Sequence, residues 1–438
     1  MKKLACTTAT FTFLICQSYA VFAIDFLEAF ELAQNSDPEI LAASFEYQSA
    51  INERPQSRAA LLPNVRLDFF SSQVKQKGNK ITNPAVNYDS NGYSLSLTQS
   101  IYNHDLYLKL EQTDLSIAAS AAAYDAAKQA LIIRVADAYY NVLGASDNLA
   151  FARAEREAIG EQLEQANSRF EVGLIAITDV KESQAQYDLS VASEIQAENL
   201  LTTTRETLRT IIGEFTTSLT TLANSIPLIL PEPSNINDWV ETALKNNLSL
   251  KSAKYQYAIA AKQISINRSG HYPSLNLSLS RDDSRLDIDN RPTIDSEDTT
   301  ISLNLSIPIY SGGLTSARTK SAIAEKERAR ALREKAIRET TKLSRDSYLG
   351  VTTSIAQVKA FKQALISTQT AYEATQAGFE VGTRTAVEVL SVLREQFRAE
   401  RDYAKARYEY ILNLLRLKQA AGILTKQDVI EINQWLQK

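Results

Sequence analysis

Side chains able to make or break bonds are scarce in this 438-residue sequence. The histidines, His104 and His271, stand in no HExxH or His-x-His spacing, so they read as rim or interface residues and not as metal ligands. Cys6 and Cys16 both fall within an apolar N-terminal leader, which leaves the rest of the chain without thiol or disulfide chemistry. GxGxxG, GxxxxGKS/T and GxSxG are all missing from the sequence. Carboxylate pairs such as Glu157 and Glu161 have the i, i+4 spacing of a solvated helix face. No catalytic set, cofactor site or metal site emerges, and the chain reads as something other than an enzyme.

Charge narrows the classes further. Lys plus Arg number 47 against 51 Asp plus Glu, a net of −4, or −6 once Lys2 and Lys3 leave with the leader. A nucleic-acid binder would carry a basic excess, and there is none. Lys2-Lys3, the apolar run through Phe11, Phe13, Leu14 and Ile15, and small residues at Ser18, Ala20 and Ala23 form an export signal over residues 1–23. Cleavage is expected after Ala20 or Ala23. Ile15 before Cys16 disfavours lipidation.

The elements must be unusual in length. No proline falls between Pro84 and Pro227 or after Pro308, so 142 and then 130 residues run without a helix breaker. The sequence also repeats at about 210 residues: Phe170-Glu171-Val172-Gly173 recurs as Phe379-Glu380-Val381-Gly382, and Gly213 as Gly422. Each repeat orders a short helix, two strands, a long helix, a glycine turn and another helix. The expected boundaries are 24–213 for the first repeat, with strands about 64–103 and long helices about 105–213. A linker, 214–250, separates it from the second repeat, 251–422, with strands about 273–310 and long helices about 314–422. A C-terminal segment, 423–438, closes the chain.

The strands alternate cleanly. Tyr93, Leu95, Leu97 and Ile101 interleave with Ser94, Ser96, Thr98 and Ser100; Ile301, Leu303, Leu305, Ile307 and Ile309 interleave with Ser302, Asn304, Ser306 and Pro308. Their partners are Val65, Leu67 and Phe69, and Leu275, Leu277 and Leu279. Polar loops holding Gly78, Asn79, Asn83 and Pro84, or Asp282, Asp283, Asp287, Asp289 and Asn290, are expected to join them. Segments of about ten residues suit tilted membrane strands, and Tyr93, Tyr102, Tyr272 and Tyr310 sit where an aromatic girdle would. Four strands cannot close a barrel, so in a membrane several copies must pool them. A water-soluble sandwich would alternate in the same way. From Asp105 to Arg169, some 65 residues amount to roughly 100 Å of helix. Ile132, Val135, Tyr139 and Val142 mark its buried face, as Tyr408, Ile411, Leu412 and Leu415 do in the second half. A soluble periplasmic coiled-coil scaffold or adaptor would explain such helices but not the strands.

Arg169-Phe170-Glu171-Val172-Gly173-Leu174-Ile175-Ala176-Ile177-Thr178-Asp179-Val180 with Ala185-Gln186-Tyr187-Asp188 resembles the first helical turn of the TolC family of outer-membrane channel-tunnel proteins. Phe379 to Leu390 resembles the second turn. Gly270-His271-Tyr272-Pro273, Ile307 to Gly313 and Ala138 to Leu143 agree as well, so the resemblance spans nearly the whole chain after the leader. It implies a mainly α fold with a β-barrel portion: a long α-helical barrel continuous with a transmembrane β-barrel, four strands per protomer and twelve per homotrimer. It also implies an exit duct for drugs or secreted proteins, seated in outer-membrane lipid with most of its mass in the periplasm. The expected partners are a periplasmic adaptor (membrane fusion) protein and an inner-membrane pump or ABC exporter.

By matching position, Thr178, Asp179, Phe379 and Arg384 correspond to the family's gate links near the closed end. The family's archetype has tyrosine where Phe379 stands, so a hydroxyl bond to Asp179 is impossible here, and either the Asp179 to Arg384 link carries more of the closure or closure is looser. Glu388 matches an acidic ring at the entrance, with Ser391 at the second ring position. Gly173, Leu174, Gly382 and Thr383 match the tips that contact the adaptor, and each glycine could equally be only a helix cap.

Overall fold

A computed structural model describes residues 23–77, 86–215, 217–289 and 291–437. The leader through residue 22, with Cys6 and Cys16, and the loop residues Gly78, Asn79, Asn83, Pro84 and Asn290 lie outside the described residues. In the first half, α1 (Phe26–Ser36) and α2 (Pro38–Ala59) lead into β1 (Asn64–Gln76) and β2 (Val86–Asn103), after which α3 (His104–Glu171) turns back as α4 (Ile177–Ile212). The second half repeats this order. There α5 (Ile236–Asn246) and α6 (Leu248–Arg268) lead into β3 (Ser274–Ile288) and β4 (Ile294–Ser306), α7 (Leu314–Glu380) turns back as α8 (Ala386–Ala420), and α9 (Lys426–Asn433) follows.

The four strands form one antiparallel sheet in the order β1-β2-β3-β4. Each adjoins a helix in the sequence, β2 running directly into α3, and the helices pack side by side in the matching order α2, α3, α6, α7. Sheet and helix layer therefore share one lateral order. Asn103 makes the junction at α3, its side chain accepting the Asp105 N–H at 3.2 Å, which satisfies an amide that would otherwise lack a partner where strand becomes helix. Alanines between Ala118 and Ala130, of which Ala119 and Ala122 are buried, let α3 lie close to its neighbours.

Register gathers the apolar residues on one face. Val65, Leu67 and Phe69 oppose Leu97, Leu95 and Tyr93, and Leu275, Leu277 and Leu279 oppose Leu305, Leu303 and Ile301. Phe69 is 77% exposed and Ile301 74%, the reverse of what a water-soluble sandwich requires. The strands run 13, 18, 15 and 13 residues, longer than the ten expected. Backbone pairing does not depend on side-chain polarity, so the ladder continues past the apolar band with Arg281, Asp283, Arg285, Asp295 and Glu297 on the same face. Asp282, Asp283 and Asp287 are thus residues of β3 and not of a loop. Tyr93 lies in mid-strand, at the border of the band, between Phe69 and Asp283. A register shift between Ser100 and Tyr102 takes Ile101 out of the alternation and puts Tyr102 opposite Leu275. Ile307 and Ile309 fall outside β4, which ends at Ser306 just before Pro308 removes a ladder donor.

The main core lies midway along the helices. Ile132, Val135, Tyr139 and Val142 of α3 meet Tyr408, Ile411, Leu412 and Leu415 of α8, with Phe26 of α1 and Val429 of α9 closing over them. The Tyr139 hydroxyl donates to the Thr220 carbonyl at 2.8 Å, fastening the irregular chain after α4 to the core. Among the described residues no helix is long and apolar enough to cross a membrane. The exposed apolar band lies on the sheet. Arginine at Leu303, the centre of the apolar band on β4, is expected to cost about 2–4 kcal/mol in lipid. Refolding into vesicles should recover little Leu303→Arg, and normal amounts of Ser302→Arg, which faces the other way.

Candidate gate at the helical turns

Both long helices reverse through the same backbone motif. Gly173 has φ 75° and Gly382 φ 79°, and a Cβ at either would meet nothing within 4 Å, so conformation and not crowding calls for glycine. The Gly173 N–H donates to the Phe170 carbonyl and the Leu174 N–H to that of Arg169; Gly382 and Thr383 repeat the pattern on Phe379 and Gly378. These paired bonds satisfy the last carbonyls of each helix. Leu174 at 72% and Val381 at 76% exposure leave apolar side chains at the tips, beside Thr383.

The turns differ in how the returning helix begins. Thr385 and Glu388 form a reciprocal cap on α8: the Thr385 N–H donates to the Glu388 carboxylate at 2.8 Å, and the Glu388 N–H donates to the Thr385 hydroxyl at 3.3 Å. Arg384 adds an ion pair to the same carboxylate at 3.0 Å. The Thr385 N–H, helped by the Arg384 guanidinium, holds the Glu388 carboxyl below the usual glutamate range, so its charge and the cap persist until pH falls below that range. The equivalent residues of the first turn are Ala176 and Asp179. Ala176 gives α4 no side-chain cap. Half-buried Asp179 receives only a 3.5 Å contact from the exposed Thr178 hydroxyl.

Arg384 is thus engaged within its own turn, and among the described residues of one chain it makes no ion pair with Asp179. Gly378 lies beneath it, where a Cβ would come within 2.8 Å of Arg384 Cγ. Phe379 is 3% exposed, packed on Tyr372, Ala386 and Val389, with the Arg169 guanidinium 4.0 Å from its ring centroid. Ser391, one turn beyond Glu388, is exposed. Farther from the tips, Ile159, Leu390, Leu393 and Phe397 form an apolar knot with Tyr187 and Tyr372, so all four long helices meet there. His104 and His271 lie at the other end, His104 with its ring 5.2 Å from that of Tyr272.

Sequence reading missed two participants. Thr385 had a signal, since Thr-x-x-Glu before an apolar run is a capping box. Arg169 had none, because nothing in the spacing brings the end of α3 to the end of α7.

A membrane-facing sheet drawn out into paired helical hairpins defines an outer-membrane channel protomer. The outer membrane efflux protein family matches residues 29–214 and 239–423, and the chain belongs to that family, of TolC type. It is 37% identical to the outer membrane protein TolC of Vibrio cholerae, over 96% of this chain and 95% of that one. It is 27% identical to the alkaline protease secretion protein AprF of Pseudomonas aeruginosa, over 95% and 88%. The CmeC outer membrane channel of Campylobacter jejuni has the same fold, with a TM-score of 0.77 at 16% identity, covering 100% of this chain and 98% of that one. This is an outer-membrane efflux or secretion duct, and its relatives are transporters, not enzymes.

The asymmetry of the caps has a measurable consequence. Thr385→Ala should destabilise the first turn of α8 by about 0.5–2 kcal/mol, and Ala176→Thr, which supplies a partner for Asp179, should stabilise that of α4 by a similar amount. Amide hydrogen exchange at the two turns is expected to speed up in the first variant and slow down in the second.

Proposed function

We propose that three copies of this chain form the exit duct of a tripartite exporter. Their strands close a twelve-stranded barrel in the outer membrane and their helices a tube through the periplasm, where most of the mass lies. Residues 1–23 act as the export signal. Cargo, whether drugs or secreted proteins, enters from an inner-membrane pump or ABC exporter through a periplasmic adaptor. The observation that carries this reading is the collinear order of strands and helices. A four-stranded sheet with an exposed apolar face has two unpaired edges, which lipid does not tolerate, and closing the sheet with further copies closes the helix wall as well. The match to the efflux family and the similarity to AprF, an alkaline protease secretion protein, support a duct for drugs, secreted proteins or both.

The adaptor meets the tips, through Gly173, Leu174, Gly382 and Thr383. The gate lies just inside them. Thr178, Asp179, Phe379 and Arg384 link neighbouring hairpins, and in the closed assembly Asp179 competes with Glu388 for the Arg384 guanidinium. Exposed ion pairs of this kind are worth about 0–1 kcal/mol, weak enough for a partner to open. Glu388 supplies a single carboxylate ring at the entrance, since Ser391 carries no charge.

Planar-bilayer recordings test this reading: the purified protein is expected to form discrete channels, and a soluble scaffold would form none. Arg384→Ser should raise the conductance of the closed assembly, and an unchanged value would remove that link. Glu388→Gln preserves the cap geometry but not the charge, so it should weaken cation preference and block by multivalent cations. If both persist in Glu388→Gln, the ring lies elsewhere.

A further inference from the structure

The gate residues assigned by resemblance leave Arg169 without a role, yet it joins the two hairpins close to their tips. Its guanidinium sits 4.0 Å from the Phe379 ring centroid. Among the described residues no carboxylate lies within ion-pair distance of it, so the ring face is its partner. Phe379 is buried and held from behind by Ala386 and Val389 of α8 and Tyr372 of α7. The apolar knot at Ile159 is ten residues, about 15 Å, back along α3.

We propose that Arg169 and Phe379 form a cation–π clamp that holds the first hairpin against the second and so belongs to the gate. This rests on the gated-duct reading above and adds to it a link built from other chemistry. The clamp is one-sided by construction. At the equivalent positions of the repeat, Phe170 is exposed and Arg169 is replaced by Gly378, so no reciprocal contact forms. The ring needs no hydroxyl to hold a cation. The phenylalanine that forbids a bond to Asp179 therefore keeps a means of closure. Arg169 also fixes the turn itself, because its carbonyl accepts the Leu174 N–H at 2.8 Å. Loss of the guanidinium leaves that bond in place, so removing the side chain tests the clamp and not the turn.

The test is a double-mutant cycle read by channel recording. Arg169→Met keeps the apolar stem without the charge, and Phe379→Leu keeps the burial without the π face. Each is expected to raise open-state occupancy roughly three- to tenfold, the range of one cation–π contact, and the double variant should do no more than either alone. Arg169→Lys should behave as the parent protein does. Arg384→Ser separates the two readings. If it opens the channel while Arg169→Met does not, or if the two clamp substitutions simply add, the clamp is wrong and the gate stands. Unchanged conductance in all the variants overturns clamp and gate together.

Discussion

Lipid offers no hydrogen bonds, and that constraint organises this protein. Every backbone amide in the membrane must find a partner in the protein, yet among the described residues one chain brings four strands, with β1 and β4 at the edges of the sheet. The apolar band on the sheet is not buried within the chain either: among the described residues no helix covers it, and Phe69, Ile301, Leu303 and Leu305 stand exposed. Curvature and closure must come from outside the protomer. Because each strand adjoins a helix in the same lateral order, whatever closes the sheet sets the neighbours of α2 and α7 too. A mean hydropathy of −0.22 fits this arrangement, since lipid meets only alternate residues of four strands while the long helices meet water and one another.

The helical portion solves a different problem, that of holding a wall one helix thick. Burial is concentrated at mid-length, where α1, α9 and the chain after α4 lie over α3 and α8. Along the seam between α3 and α8, polar rungs accompany the apolar contacts. Asp137 pairs with Arg416 at 2.9 Å, Asp147 accepts from the Tyr408 hydroxyl at 2.6 Å, and Glu155 pairs with Arg401 at 2.8 Å. Burial pushes the Asp147 carboxyl up, only partly offset by the Tyr408 bond and the nearby Arg407 guanidinium. Such rungs fix register between long antiparallel helices that apolar contacts alone would let slide. The core thus anchors the hairpins at mid-length, with the smaller knot at Ile159 joining them nearer the turns.

Local periodicity explains what could be read from the chain. Alternation over Val65 to Phe69 and Leu275 to Leu279 located the apolar faces, and the glycine repeat located both turns, because each depends on neighbours within a few residues. Strand length did not follow, since pairing past the apolar band depends on the partner strand and not on polarity, which is why Asp282, Asp283 and Asp287 looked like loop residues. Ile101 was misplaced for a related reason: a register shift leaves no mark in composition. At the two turns, resemblance singled out residues but not the partners they have within one chain. Glu388 had a local signature as half of a cap, which its match to an acidic ring obscured. Arg169 meets Phe379 only because two hairpins from separate halves end side by side.

The two turns also show what a repeat can and cannot keep. Asp179 and Glu388 occupy the same place, the third residue of a returning helix, where the helix dipole favours a carboxylate. With Thr385 as its cap partner, Glu388 is held by the backbone as well as by Arg384, and the α8 start is rigid. With Ala176 in that place, Asp179 keeps the favourable dipole but no reciprocal bond. Its carboxylate therefore keeps acceptor capacity, whereas that of Glu388 is already filled by its own turn. The repeat thus keeps the turn and the acidic position, while Thr385 against Ala176 and Arg384 against Ile175 decide how far each carboxylate is held by its own turn.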